Sequence, residues 1–224
     1  MASSNKRKLF RVSVICILII AVIASMIISL IWGSTPVSLA EIWRTLWTDE
    51  LTDTASQIIW NIRLPRNIVA ALVGACLAVS GAILQAVMKN PLADPQIVGV
   101  SSGAGLAGVI VLILFPGYDY IVPLVAFLGA MGAALMVYAL AWKNGVRPSR
   151  IILAGVAVAA FFGGFNTILS VFYPDRVQGT VSWMAGGFVG RSWDDVMMIW
   201  PYTAIGIIGS MISIRWLTLL SLGD

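Results

Sequence analysis

The chain has 224 residues, of which 59% are hydrophobic and 11% charged, with a mean hydropathy of +0.95. Soluble domains carry about 25% charged residues, so this composition excludes one and points to an integral membrane protein. The formal charge of +4 and the pI near 9.3 do not signal nucleic acid. The cations are divided among short polar segments, and no basic stripe with interleaved aromatics occurs outside the N-terminal cluster.

Lys6, Arg7, Lys8 and Arg11 precede the first apolar run, 12–32. That run is longer than the roughly 7–15 residues of a signal-peptide core and is followed by no convincing small-x-small cleavage site, so it reads as a retained first span. Further runs without charge follow at 68–87, 97–115, 121–142, 151–172 and 196–214. A run of roughly 18 or more such residues crosses a hydrocarbon core about 30 Å thick as a helix. None shows the apolar and polar alternation of a membrane barrel strand. Backbone amides in lipid must be satisfied internally. The expectation is therefore an all-α polytopic bundle of six spans forming one domain over 1–224. Cys16 and Cys76 lie within runs and read as small buried hydrophobes.

Cations flanking spans are held in the cytoplasm. With the N-terminus inside, the inner segments hold Lys6, Arg7, Lys8, Arg11, Lys89, Lys143, Arg147, Arg150 and Arg215, against Asp94 and Asp224. The outer segments hold Arg44, Arg63, Arg66, Arg176 and Arg191, against Glu41, Asp49, Glu50, Asp53, Asp119, Asp175, Asp194 and Asp195. Six crossings return the C-terminus to the cytoplasm. The N-terminal cluster is an orientation signal and a contact for anionic lipid.

What the chain lacks narrows its chemistry. It has no histidine, which removes the commonest metal ligand and proton relay. No GxxxxGK[ST] loop is present, so an ATP-driven process must place the nucleotide on another polypeptide. No run contains Asp, Glu, Lys or Arg, the groups by which ion-coupled carriers exchange ions. That favours an externally powered permease over a secondary carrier, although Gln85, Asn166 and backbone carbonyls could serve an ion. No cofactor or metal site is expected.

Several polar residues stand out against this apolar background. Arg63 and Arg66 lie outside by topology, against the charge rule, with Pro65 fixing the turn into the second span. Spaced by three, they share one face and could pair with carboxylates of a soluble partner. A lipid headgroup or an intrachain partner among Glu41, Asp49, Glu50 and Asp53 explains them equally well. NPLADP, 90–95, reads as a tight inner connection in which Asn90 and Asp94 cap the flanking helix ends. The glycines from Gly99 to Gly108 suggest close helix packing and an irregular helix start. Asn166, Thr167 and Ser170 sit at helical spacing in the fifth run, where bonds to a neighbouring helix are the commoner explanation.

Taken in order, RLPR at 63–66, NPLADP at 90–95, GVSSGAG at 99–105 and WMAGGF at 183–188 resemble the permease subunits of FecCD-like, type II ABC importers for iron-siderophore complexes, haem and cobalamin. The resemblance implies that Arg63 and Arg66 dock acidic residues of a substrate-binding protein. It further implies that Asn90, Leu92 and Ser149, the last within VRPSR, line a cytoplasmic gate. By the same resemblance the fifth span, with Asn166, Thr167 and Ser170, lines the translocation path at the interface with a second permease subunit, and a short outer helix falls at 181–190. The partners implied are ATP-binding cassette ATPase subunits, the binding protein, the second permease subunit and membrane lipid. Members run to about ten spans and meet the ATPase through coupling helices after the sixth, so the chain corresponds to the N-terminal two-thirds of a permease. GVSSGAG and GRSWDD look more like siderophore permeases than haem or cobalamin ones. A non-transporting membrane scaffold and an ion-coupled carrier are the alternatives of other classes.

Overall fold

A computed structural model describes residues 2–47, 53–96, 99–143, 145 and 147–222, with side chains described within 6–216 of that set. Asp49, Glu50, Asp224 and the start of the third run, 97–98, lie outside the described residues. The α-helices are α1 (Ala2–Ile31), α2 (Leu39–Trp47), α3 (Thr54–Ile58), α4 (Leu64–Met88), α5 (Val100–Leu114), α6 (Val122–Ala141), α7 (Pro148–Phe172), α8 (Val177–Ala185) and α9 (Trp193–Leu222). No strand occurs among the described residues, so the protein is the all-α polytopic bundle its sequence implies.

Among the described residues, five helical segments are long and apolar enough to cross a membrane: Lys6–Ile31, Thr54–Met88, Asp119–Ala141, Pro148–Phe172 and Trp193–Trp216. The third run differs from expectation. It forms only the 15-residue α5, about 22 Å long at 1.5 Å per residue, short of a core about 30 Å thick. The physical cause lies at Gly99, whose φ of 77° is left-handed and delays the helix start to Val100. A side chain there would be strained, and a Cβ would also sit 2.9 Å from the Gly155 carbonyl oxygen.

The chain divides into two compact units, Met1–Gly74 with Phe188–Thr203 and Ala75–Gly187 with Ala204–Asp224. In the first, Leu30, Val37, Ile42 and Ile59 form a buried cluster against which Ile31 and Leu64 pack. Ser38 and Glu41 open α2 as a reciprocal cap. The Ser38 amide donates to Glu41 Oε2 at 2.7 Å, and the Glu41 amide donates to Ser38 Oγ at 3.3 Å. The bond from the Ser38 amide, with that from its hydroxyl, holds the Glu41 carboxyl below its ordinary value of 4.5. The cap therefore persists as pH falls past the ordinary value of 4.5 and is lost only as pH falls through the lowered one. Ser192 and Asp195 repeat the device at the start of α9, the Ser192 amide donating to Asp195 Oδ2 at 2.9 Å.

In the second unit α5, α6 and α7 pack together. Ala133, Val137 and Ala141 of α6 meet Ala154 and Val158 of α7, with Ile151 and Phe162 against them. The α5–α6 crossing is a backbone contact: a Cβ on Gly103 would lie 2.5 Å from both the Gly129 carbonyl oxygen and Ala133 Cβ. Small residues are the usual means of such approach where lipid supplies little hydrophobic drive. The short outer helix is α8, Val177–Ala185, rather than 181–190. It stops early because Gly186 and Gly187 both take positive φ, 70° and 123°, so half of the WMAGGF segment is the turn that ends the helix.

Gly103→Ala is expected to destabilise the protein by roughly 1–3 kcal/mol through overpacking. Gly105→Ala, with nothing within 4 Å of the added Cβ, should be neutral or stabilising by up to about 1 kcal/mol. Thermal unfolding of the two variants in one detergent distinguishes them.

Candidate functional site

The RLPR segment does not form the expected turn. Thr54 to Met88 is one continuous helical segment, interrupted only by a π-helical turn, Ile59–Arg63, that joins α3 to α4. Within it the Leu64 amide bonds to the Ile59 carbonyl, five residues back. In that register the donor for the Trp60 carbonyl would be residue 65, and Pro65 has no N–H. The orphaned carbonyl is satisfied from outside the helix: Trp193 Nε1 donates to it at 2.9 Å, with the Trp60 and Trp193 rings 5.4 Å apart. Pro65 is thus accommodated by a π turn and an indole, and α4 needs no break.

Arg63, the last residue of the π turn, and Asn67, one turn further on in α4, both reach back to α1. Arg63 Nη1 donates to the Leu30 carbonyl at 2.5 Å and to the Ile31 carbonyl at 3.0 Å, while Nη2 donates to the Thr35 carbonyl. Asn67 Oδ1 accepts from Ser29 Oγ at 2.7 Å, and its Nδ2 donates to the Met26 carbonyl at 3.1 Å. Last-turn carbonyls of a helix have no intrahelical donor and form the negative end of its dipole. The guanidinium therefore serves α1 as a C-terminal cap, with only 6% of Arg63 exposed. Gly33 makes this possible, since a Cβ there would sit 2.5 Å from Arg63 Nη2. Neither the expected carboxylate partner nor a headgroup is needed. Among the described acids, Asp53 pairs loosely with Arg44 at 3.9 Å and Glu41 is engaged by Ser38.

Arg66 is different. It is half-buried, and its Nε has no hydrogen-bond partner among the described residues. It lines a cavity of about 210 Å³ together with Ser29, Trp32, Ser34, Thr35 and Arg63. Of the two arginines expected to act as a pair, Arg63 is committed to the fold, and Arg66 forms no hydrogen bond among the described residues.

The NPLADP loop starts from a tight helix end. Lys89 takes a left-handed φ of 49°, its amide bonds to the Ala86 carbonyl, and the Asn90 amide bonds to the Gln85 carbonyl at 3.2 Å, a Schellman closure. Asn90 and Asp94 do not cap the flanking helices. Each turns its carboxamide or carboxylate onto the loop's own backbone, Asn90 Oδ1 accepting from the Leu92 amide at 2.9 Å and Asp94 Oδ1 from the Gln96 amide at 2.7 Å. These Asx turns fix the loop and present Leu92, 81% exposed, at its tip. Ser149 is exposed in the first turn of α7, where Pro148 follows the extended Arg147. Among the described residues no hydrogen bond or ion pair joins Ser149 to the NPLADP loop.

In α7, Thr167 and Ser170 donate to carbonyls of their own helix, Gly163 at 3.0 Å and Asn166 at 2.8 Å, rather than to a neighbour. Asn166 Oδ1 is buried without a partner among the described residues. It borders a cavity of about 470 Å³ lined also by Ser101, Ser102, Gly105, Trp183 and Met184. Hydroxyls, an amide and apolar surface, with no charge, can hold a bulky solute only weakly. Three further residues were not singled out from sequence. Asn67 had its signal in RLPRN, a helical i, i+4 polar pair with Arg63. Trp193 had none beyond its neighbouring aspartates. Arg176, whose Nη1 caps the Ile113 carbonyl at the end of α5 at 2.6 Å, repeats the Arg63 device.

Comparison with known proteins places this geometry in context. The pattern of the FecCD transport family matches residues 18–224. The chain is 39% identical over 200 residues to the iron(3+)-hydroxamate import system permease protein FhuB of Bacillus subtilis (strain 168), covering 88% of this chain and 52% of that protein. It is 43% identical over 156 residues to the cobalamin import system permease protein BtuC of Halobacterium salinarum, covering 69% of this chain and 42% of that protein. A solved inward-facing structure of a metal-chelate type ABC transporter superposes with a TM-score of 0.75 at 25% identity, over 94% of this chain and 65% of that one. The chain spans about half the length of the curated relatives it matches.

Arg63→Ala leaves three carbonyls without their donor, at about 1–3 kcal/mol for each buried group, and is expected to destabilise the protein by about 3 kcal/mol or more. Arg66→Ala removes no hydrogen bond to a described residue and should stay within about 0.5 kcal/mol. Thermal denaturation in detergent reads both, and equal losses would contradict the division of roles.

Proposed function

Because the chain belongs to the FecCD transport family, we propose that residues 1–224 act as the permease domain, or its N-terminal part, of an ATP-driven importer for iron(III)-siderophore complexes in the cell's inner (plasma) membrane. The observation that carries this reading is the family match across nearly the whole chain together with the hydroxamate cargo named for FhuB. The similarity to BtuC supports a cobalamin importer as the second reading. Both cargoes are bulky chelates, which accords with uncharged spans and a weakly polar cavity beside Asn166.

The chain is a transport subunit, and in this proposal ATP hydrolysis belongs to separate ATP-binding cassette subunits. A loaded substrate-binding protein docks at the outer end of α4. Arg66 supplies the charge for a carboxylate of that partner, and Arg63 and Asn67 hold the face in register by tying it to α1. The exposed Leu92 with Asn90 and Ser149 forms the inner gate, where Asx turns keep the loop stiff enough to move as a unit. The path runs along α7 past Asn166, Thr167 and Ser170, completed by a second permease subunit. Thr167 and Ser170 spend their hydroxyl protons on their own helix and so present only acceptors and methylene surface to a solute, which suits passage rather than retention. Binding protein and nucleotide must each prefer one state of the bundle, since a ligand shifts such an equilibrium only by differential affinity.

Arg66→Glu is expected to weaken the cognate binding protein by about tenfold or more, with most of the loss in association rate and a reduced salt dependence. The assay is biolayer interferometry on the transporter in nanodiscs. Unchanged affinity and salt dependence would remove Arg66 from the docking surface.

A further inference from the structure

The nine-residue α2 has three distinct faces, and only two are accounted for by the fold. At 3.6 residues per turn, Ile42 and Thr45 share one sector and are buried, Ile42 within the cluster of Leu30, Val37 and Ile59 and Thr45 bonded to Ser56 Oγ at 3.1 Å. Glu41 and Arg44 occupy a second, exposed and polar sector, where Arg44 approaches Asp53. Leu39, Trp43, Leu46 and Trp47 fall together on the third and are exposed, Trp43 by 66% and Trp47 by 75%, with their indole rings 5.6 Å apart.

We infer that α2 is an interfacial anchor, lying along the outer membrane surface with Leu39, Trp43, Leu46 and Trp47 in the boundary between headgroups and acyl chains. Its level in the bilayer is set by its packing. Ile42 and Val37 bury against Leu30, in the last turn of the membrane-crossing segment Lys6–Ile31, so α2 sits where the apolar span ends. The same end of α1 exposes Ile27 and Ile28, with Trp32 just beyond it, apolar surface that lipid must cover in a membrane-crossing helix. Tryptophan is the residue favoured at this depth, since its ring is apolar and its N–H reaches headgroups. Arg44 flanks the apolar sector on its aqueous side, where a cation meets phosphate. One face on protein, one on lipid and one on water is the arrangement of a helix lying in the interface plane. The role is independent of the transported cargo and of the docking assignment for Arg66.

The test uses spin labels in the full chain, with Cys16 and Cys76 replaced by alanine, reconstituted in nanodiscs of phosphatidylcholine and phosphatidylglycerol. Labels are introduced by Trp43→Cys or by Arg44→Cys, both exposed positions. The ratio of collisions with oxygen to collisions with a water-soluble nickel complex should be higher at 43 than at 44 by a factor of at least about three. Equal ratios would put α2 in water and overturn the inference. Loss of oxygen access at 43 only when the cognate binding protein is added would make the face a protein surface and overturn it equally. Should labelling at 43 prevent folding, brominated phosphatidylcholine gives a second measurement. It should quench a fraction of tryptophan emission that disappears in Trp43→Phe/Trp47→Phe, and an unchanged quenched fraction would contradict the anchor.

Discussion

A buried guanidinium, bonded among the described residues to three backbone carbonyls, organises the end of α1 and the start of α4. Charge taken out of water is costly unless it is hydrogen-bonded, and among the described residues Arg63 finds its partners at the negative end of α1. Its planar fork spans the Leu30, Ile31 and Thr35 carbonyls at once, a geometry a lysine ammonium does not reproduce. The consequences spread outward along the chain. Residue 33 must be glycine for the fork to fit, the link from α1 to α2 is fixed at Thr35, and the Ser38–Glu41 cap then sets the direction of α2. Asn67 adds a second rung one helical turn along, so α1 and α4 are tied over two turns by polar contacts that lipid cannot compete for.

The same region shows how a proline sits inside a long helix without breaking it. Pro65 removes one donor, the π turn over Ile59–Arg63 shifts the loss onto the Trp60 carbonyl, and the Trp193 indole repairs it. Arg63 and Asn67, four positions apart at the end of that turn, face α1 together as i, i+4 neighbours do. A functional surface built this way is held by side-chain to backbone bonds at several points. Arg66 takes no part in these bonds among the described residues.

Much of this was legible in the sequence, and the limits have physical causes. Membrane class, helical architecture and most span positions followed from hydropathy, because lipid forces internal satisfaction of the backbone. RLPR was recognisable as special, but the period of the pattern says nothing of whether an arginine points to solvent or to carbonyls. That depends on the end of α1, more than thirty positions away, and on a glycine whose only role is to be absent. The third run looked like a full span because composition does not register the left-handed Gly99, which delays α5. WMAGGF carried a helix signal in its first half and a terminator in its second, and reading it as one element displaced α8 by several residues. Asn90 and Asp94 were correctly placed in a tight connection, but capping and Asx turns draw on the same side chains, and only the backbone path decides between them.

The central claim, that Arg63 holds α1, α2 and α4 together by capping carbonyls, is tested most directly by hydrogen–deuterium exchange of Arg63→Gln against the unaltered chain in nanodiscs. The account predicts that amides of residues 33–47 exchange at least about tenfold faster in the variant, while those of α5 and α6 keep their protection. Unchanged exchange over 33–47, or uniform acceleration along the whole chain, would contradict it.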